Sequence, residues 1–241
     1  MKKILTLLVA LLGPTVLSAA TFEGTITMKM SGPKDAPPTM TFSVKEGYTR
    51  LDMSGAEGRN AGIIFNMAKQ EMTILMLDQK MYMTQALTPA QVAAASGAES
   101  VAGVAVTTTR EKILGYDCVK YVVQSKEGTS EIWATDQLGA FLGFGGSPTG
   151  GGRRGPGGRQ APQGWEEAIT GKGVFPLRVV TTVSGKETFR LEATAVEKVT
   201  LPASLFTPPA DFQDLSGMMR GMGMPSGIPG LPGGAKLPGR E

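Results

Sequence analysis

Apolar and polar residues alternate along most of the chain with a period of two. In the stretch FEGTITMKM, Phe22, Ile26 and Met28 share one phase while the intervening positions are mostly polar, and TMTFSVK at 39–45 repeats the pattern. Short turn-forming sequences containing Gly, Asp, Asn or Lys separate the runs. The pattern is typical of antiparallel strands that bury one face. It predicts eleven strands, near 22–30, 39–46, 48–53, 61–66, 71–77, 81–84, 104–112, 116–124, 129–135, 174–184 and 187–199.

Helix signals are rare by comparison. Thr88 is a suitable N-cap, Pro89 fits the first helical turn and Gly97 ends the segment, so one short helix is predicted there. Residues 201–206 predict a single turn that packs Leu205 and Phe206 under the sheet. A large antiparallel sheet with so little helix must curve to bury its apolar face. The predicted fold class is therefore mainly β, one strongly curved antiparallel sheet of about eleven strands in a barrel or half-barrel, with one short helix.

The apolar phase of the first six strands is unusually rich in methionine. Methionine is flexible and polarizable, so a concave face built from it can repack around varied apolar ligands, although the same residues can also fill a core. The candidate ligand-binding residues on this face are Ile26, Met28, Met40, Phe42, Val44, Leu51, Met53, Ile74, Met76, Met81 and Met83.

Composition divides the chain into segments. Residues 1–20 have a charged start, an apolar run and small residues at the end, as in a secretory signal peptide, which predicts export and a soluble mature protein. Residues 21–213 form the predicted domain. A Gly/Arg-rich loop at 143–164 and a Gly/Pro/Met-rich tail at 214–241 offer too little apolar area to build a core, and disorder is predicted for both.

Positive charge is concentrated in these two segments. The chain carries a formal net charge of +3, and the loop alone contributes Arg153, Arg154 and Arg159. For an exported protein this predicts contact with an anionic membrane surface sooner than with nucleic acid.

The residue inventory disfavours enzymes. The chain has no histidine and one cysteine, which removes histidine-dependent triads, His-Glu zinc motifs and CxxC redox pairs. We predict no enzymatic activity and no cofactor. A lesser alternative is Cu(I) binding by the thioether sulfurs of the tail residues Met218, Met219, Met222 and Met224.

Cys118 is the single thiol, in the stretch ILGYDCVKYVV. Strand alternation places it in phase with Lys120 and opposite to Val119 and Tyr121. We therefore expect a partly shielded thiol on the convex side of the sheet, without a catalytic partner.

Several motifs occur in a recognisable order: FEGTITMKM, MTFSVKEGYTRLDM, QKMYM, ILGYDCVKYVV, EIWATDQLG, FPLRVV and SLFTPPADF. In this order they resemble an exported bacterial family of unknown function that is similar to the LolA/LolB-like lipoprotein carriers. The resemblance spans residues 21–213 and implies a half-barrel in the periplasm or outer envelope whose apolar concavity holds a lipid or lipoprotein acyl chain. It also implies a gating arginine, for which Arg50 is the candidate. The alternative function is a structural or envelope-interaction protein whose core is filled by its own side chains.

Overall fold

Twelve strands make up nearly all of the folded structure. The computed structural model describes residues 22–32, 39–54, 60–87, 92, 104–125, 128–144 and 164–216. The strands are β1 (Gly24–Ser31), β2 (Thr39–Lys45), β3 (Tyr48–Ser54), β4 (Asn60–Asn66), β5 (Glu71–Met76), β6 (Met81–Ala86), β7 (Val104–Ile113), β8 (Tyr116–Ser125), β9 (Gly128–Thr135), β10 (Phe175–Val183), β11 (Lys186–Lys198) and β12 (Gln213–Asp214). One helix, α1 (Trp165–Ile169), and one 3-10 turn (Ala203–Phe206) are described over their whole length, and the single described residue Val92 is also helical.

The strands form a single sheet that is not closed into a barrel. Its order is β12-β6-β5-β4-β3-β2-β1-β11-β10-β9-β8-β7, so β12 and β7 are its two edges. Two meanders, β1–β6 and β7–β11, are joined where β1 pairs with β11 in an antiparallel register. The neighbours within each meander follow from chain order, whereas the β1–β11 pairing connects strands that are distant in sequence.

Tight turns fix the register of the hairpins. Leu114 and Gly115 both have positive φ, 50° and 88°, and Ser184 and Gly185 have 49° and 77°. Two central residues with positive φ are the mark of the two-residue turns whose twist matches that of paired strands. These turns therefore set the register at the start of the β7–β8 and β10–β11 hairpins, and an irregularity farther along each hairpin shifts it.

The predicted elements compare closely with the observed ones. Each predicted strand overlaps one of β1–β11, with ends that differ by at most two residues. The predicted total of eleven is one too few, because two residues of β12 add to the edge of β6 in a parallel register. The predicted helix after Thr88 lies outside the described residues except for Val92, which is helical, and α1 was not predicted.

The two meanders meet across an apolar core. The rings of Phe42 on β2 and Phe175 on β10 lie 5.1 Å apart between centroids, in an edge-to-face arrangement. Since β1 and β11 separate these strands, a flat sheet would hold their backbones about 14 Å apart. The sheet therefore bends, and the concave surface, which we call the inner face, encloses most of the buried apolar residues.

The chain after β11 crosses the opposite, outer face as a segment that we call the strap, residues 199–216. Leu201 is held at both backbone groups: its N–H donates to Glu23 Oε1 at 2.7 Å and its carbonyl accepts from Lys45 Nζ at 2.7 Å. The hydrogen bond from the Leu201 N–H lowers the pKa of the Glu23 carboxyl, and the hydrogen bond from Lys45 lowers it further. The predicted turn at 201–206 is confirmed as the 3-10 turn, and its residue Phe206 is buried against Ile64 and Leu75 of the sheet.

No helix in the described residues is long and apolar enough to cross a membrane.

Candidate functional site

The candidate residues of the inner face align in rows across β1–β6. Ile26, Phe42, Leu51, Ile63, Ile74 and Met83 are successive cross-strand partners, and Met28, Met40, Met53, Ala61, Met76 and Met81 form the next row. Val44 lies in a third row with Phe65 and Met72. Directly paired residues point to the same side of a sheet. The structure thus brings all eleven candidates onto one face, as the alternation predicted.

Burial divides this face into two parts. Six of the candidates are at most 8% exposed: Ile26, Met28, Met40, Phe42, Val44 and Leu51. The other five are half-buried: Met53, Ile74, Met76, Met81 and Met83. The first group lies on β1–β3 near the middle of the sheet, and the second lies on β3, β5 and β6, toward the edge formed by β12.

An aromatic plug fills the β1–β3 part. We define the plug as Phe141, Phe144, Trp165 and Phe175. The Phe141 and Trp165 rings stack with centroids 5.7 Å apart, and Phe144 meets Trp165 edge-on at 5.9 Å. Phe42 contacts Phe141, Phe144 and Phe175 at centroid distances of 6.0, 6.4 and 5.1 Å. The chain's own side chains therefore occupy this half of the concavity.

The remaining part is a half-buried surface that we call the methionine patch: Met53, Ile74, Met76, Met81 and Met83. Met53 and Ile74 pack against the cluster of Ile63, Phe65, Met72 and Leu87. Met76, Met81 and Met83 belong to none of the apolar clusters formed by the described residues. Met76 and Met81 are direct cross-strand partners, so these three side chains form one continuous surface.

Ala61 shapes this patch. It lies between Met53 and Met76 in the cross-strand row and is itself half-buried. Its methyl group is much shorter than the methionine side chains on either side of it in the row.

Arg50, the gating candidate, lies on the outer face, because its cross-strand partners are Ser43 and Ile64. Its guanidinium binds both carboxylate oxygens of Asp52, with Nε–Oδ2 and Nη2–Oδ1 distances of 2.8 Å. Its Nη1 donates to the carbonyl of Leu205 in the strap at 2.9 Å. Arg50 thus ties the 3-10 turn of the strap to β3.

We expect Arg50→Met to lower the free energy of unfolding by about 1–3 kcal/mol, because the Leu205 carbonyl and the Asp52 carboxylate both lose a charged partner. Urea denaturation measures the change. Arg190→Met is the matched control, since its ion pair with Glu187 is exposed and such pairs contribute about 0–1 kcal/mol. Equal effects of the two substitutions would contradict the anchoring role of Arg50.

Cys118 is more deeply buried than expected. It pairs with Glu111 of β7 and so lies on the polar side of β8, as the alternation predicted, but it is 0% exposed rather than partly shielded. Its Sγ lies 3.6 Å from the Tyr116 carbonyl, and Ile113 is part of the same apolar cluster. Burial raises the pKa of the thiol from 9.0 to about 11. The packing of Cys118 in a cluster with Ile113 and Tyr116 is not visible in a period-two pattern.

This thiol is expected to react slowly in the folded protein. A pKa of about 11 instead of 9.0 lowers the thiolate fraction near pH 8 about 100-fold, and burial slows reagent access further. Iodoacetamide labelling followed by mass spectrometry, in buffer and in urea, measures the ratio of rates. Leu114→Cys in a Cys118→Ser background supplies an exposed cysteine from the same hairpin. Equal labelling rates at the two positions would contradict the burial of Cys118.

Cross-strand ion pairs cover the outer face of β7–β11. Arg178 is central, because it contacts Glu111 and Glu192, both at 2.9 Å. Lys120 pairs with Glu131 at 2.7 Å and lies 5.7 Å from the ring centroid of Trp133. The charges of these side chains are paired with each other, which is typical of a solvated outer face.

Some predicted features fall outside the described residues. They are the signal segment 1–20, the loop arginines Arg153, Arg154 and Arg159, and the tail methionines Met218, Met219, Met222 and Met224. In the described residues, no group of three or more His, Cys, Asp or Glu side chains is arranged to hold a metal ion.

Sequence reasoning missed the aromatic plug. Phe144 lies inside the predicted Gly/Arg loop, and Trp165 comes directly after it. Both residues pack with Phe141, and the Glu166 carboxylate accepts the Phe144 N–H at 2.7 Å. A signal was present, because aromatic residues flank a glycine-rich stretch on both sides, but the alternation of the strands did not include them.

The comparisons with known proteins identify a family without a known activity. A family described as a domain of unknown function, DUF4412, matches residues 22–212. The chain belongs to this family. The order of its motifs indicates a family of unknown function, and this recognition is confirmed. Among curated proteins, none is detectably similar to this sequence.

The solved structures that the chain is similar to include two of PNGF-II. The structure in the C2 space group has a TM-score of 0.47 and 16% sequence identity, and the alignment covers 84% of this chain. The structure in the P21 space group has a TM-score of 0.46, 19% identity and 78% coverage. The alignments span only 32% and 30% of the lengths of the PNGF-II chains in those two structures.

Proposed function

We propose that this protein is a non-enzymatic, exported protein of the cell envelope whose methionine patch binds a lipid acyl chain. One observation carries the proposal: Met76, Met81 and Met83 remain half-buried beside a face that the chain otherwise fills with its own side chains. We include in the proposal that the bent sheet is a half-barrel of the carrier type and that its open part is the patch.

The chemistry of the patch supports an aliphatic ligand. Thioether side chains are unbranched and polarizable, so they adapt to a flexible chain better than a rigid aromatic wall does. The row from Met53 to Met81 crosses three strand intervals, about 14 Å. A bound chain of that length gains about 0.8 kcal/mol for each methylene that it buries, and the loss of its motional freedom offsets part of this gain.

The burial pattern narrows the set of contact residues. The six candidates on β1–β3 are covered by the plug and its neighbours, so in this proposal they support the fold. The ligand contacts are then Met53, Ile74, Met76, Met81 and Met83, with Ala61 beneath the chain. Arg50 is assigned to the strap, because its contacts lie on the outer face.

Titration with a fluorescent fatty acid, such as dansyl undecanoic acid, tests this function. We expect saturable enhancement of the dansyl emission and displacement by an unlabelled long-chain fatty acid. Ala61→Phe places a bulky ring between Met53 and Met76 and should weaken binding, and because Ala61 is half-buried the fold should be retained. Saturable binding that is unaffected by Ala61→Phe would place the ligand elsewhere, and the absence of binding would overturn the proposal.

A structural role is the second candidate, and the plug favours it. Trp165 is 0% exposed and Phe141 is 1% exposed, so a large part of the concavity is closed without a ligand. In that case the loop arginines Arg153, Arg154 and Arg159 would attach the protein to an anionic surface. Co-sedimentation with phosphatidylglycerol vesicles separates the two functions. A self-filled protein binds such vesicles through the loop, and replacing the three arginines with serine abolishes this binding, while the fluorescent fatty acid does not bind at all.

A further inference from the structure

We propose that the strap is a clasp with two unequal halves: residues 208–216 release from β6 while residues 199–207 stay bound. Release opens the β6 side of the methionine patch. The coupling to the patch rests on the proposed function, whereas the unequal opening of the strap does not.

The first half of the strap is held by buried contacts. Leu201 and Phe206 are 7% and 5% exposed and pack with Ile64 and Leu75 of the outer face. Phe206 also lies 5.5 Å from Tyr48 between ring centroids. The charged donors Lys45 and Arg50 bind the carbonyls of Leu201 and Leu205 at 2.7 and 2.9 Å. Separating this half from the sheet exposes apolar area and leaves charged groups without their partners.

The second half is held by exposed contacts. The ion pair between Lys80 and Asp211 is 2.9 Å long, with side chains 65% and 59% exposed. The strand β12 has only two residues, paired in parallel with β6; its backbone bonds include Gln213 N to Lys80 O at 2.8 Å and Leu215 N to Tyr82 O at 2.9 Å. The Asp214 side chain also hydrogen-bonds to Tyr82 at this edge. Its apolar anchor, Phe212, is only half-buried. Exposed ion pairs and short edge pairings contribute little to stability, so this half opens at a lower free energy.

At the junction between the two halves, no backbone N–H group is available to hydrogen-bond to the sheet. Pro208 and Pro209 follow directly after the 3-10 turn, and neither has an N–H group. Thr207, just before them, donates its backbone N–H within the turn, to Ser204 O. Residues 207–209 therefore donate no backbone hydrogen bond to the sheet. The second half can move about this segment while the first half stays bound.

Opening of the second half changes the methionine patch. Gln213 is the direct parallel partner of Met81, so it borders the patch at β6. In addition, Ser216 Oγ accepts the backbone N–H of Thr84, the residue after Met83, at 2.9 Å. When the clasp opens, β6 becomes the edge strand and the side of the methionine patch at Met81 is uncovered. A ligand then enters or leaves from this side.

Residue-resolved hydrogen exchange by NMR tests the unequal opening. We expect the amides of Gln213 and Leu215 to exchange about 100-fold faster than that of Leu201, because only the second half opens locally. Arg50→Met should accelerate exchange at Leu201 and leave the rates at Gln213 and Leu215 unchanged. A common exchange rate for all three amides in the native protein would overturn the clasp.

A disulfide across β6 and β12 tests the coupling to the patch. Tyr82 and Asp214 are direct partners, which brings their Cα atoms within the range that a disulfide requires. In Tyr82→Cys/Asp214→Cys with Cys118→Ser, the oxidised protein is locked, and the same protein after reduction is its control.

We expect the oxidised form to release dansyl undecanoic acid at least about tenfold more slowly than the reduced form. Equal release rates would overturn the gating. If neither form nor the native protein binds the probe, the proposed function fails and gating with it, while the exchange rates still decide whether the strap opens in two halves.

Discussion

Trp165→Ala is expected to lower the free energy of unfolding by about 3–5 kcal/mol, the range for removing a fully buried tryptophan side chain. Trp165 is 0% exposed and stacks on two rings, Phe141 at 5.7 Å and Phe189 at 6.2 Å between centroids. Its removal would leave a cavity in the plug that joins the two meanders. Urea denaturation followed by circular dichroism measures the loss.

Two further variants separate packing from other effects. The indole Nε1 of Trp165 is buried without a hydrogen-bond partner among the described residues. Trp165→Phe therefore loses no hydrogen bond and should lower the free energy of unfolding less than Trp165→Ala does. Trp133→Ala is the matched control, since Trp133 is half-buried on the outer face. Its expected cost is about 1 kcal/mol. If Trp165→Ala cost no more than Trp133→Ala, the plug would not hold the core together.

The double variant Met76→Lys/Met83→Lys is expected to weaken binding of dansyl undecanoic acid at least about 100-fold. A bound aliphatic chain would bury the two ammonium groups, and burying an unpaired charge is very unfavourable. The fold should tolerate the change, because both side chains are half-buried and long enough to keep their charges in water when no ligand is bound. Fluorescence titration gives the affinity, and urea denaturation checks the fold.

Met67→Lys is the control for this variant. Met67 is half-buried like the patch residues but lies in the turn between β4 and β5. It should reduce the affinity by less than about threefold, since surface substitutions away from a site have small effects. If Met67→Lys weakened binding as much as the double variant, a general effect of charge would explain the result, and the patch would not be the site.

The strands and the inner face could be predicted from the sequence because they depend on a local pattern. Alternation assigns Met28, Met40 and Met81 to one phase of their strands, and the cross-strand register then places them in one row. No long-range information is needed for this step, since a hairpin pairs neighbours in the chain.

The division of that face into a filled and a half-open part could not be predicted in the same way. It depends on Phe144 and Trp165, which reach the core from either end of a glycine-rich segment, and on the pairing of β1 with β11. These contacts join residues far apart in sequence. Arg50 shows the same limit: its partner Asp52 is two residues away, whereas Leu205, which defines its role in the strap, is 155 residues away.

Native mass spectrometry of the protein, expressed with residues 1–20 and purified from the periplasm, tests the central claim most directly. We predict that the native protein carries an additional mass equal to that of an acyl lipid, and that delipidation removes this mass. The Met76→Lys/Met83→Lys variant, purified in parallel, should lack it. Identical masses for native and delipidated wild-type protein would contradict the claim that the methionine patch holds an acyl chain.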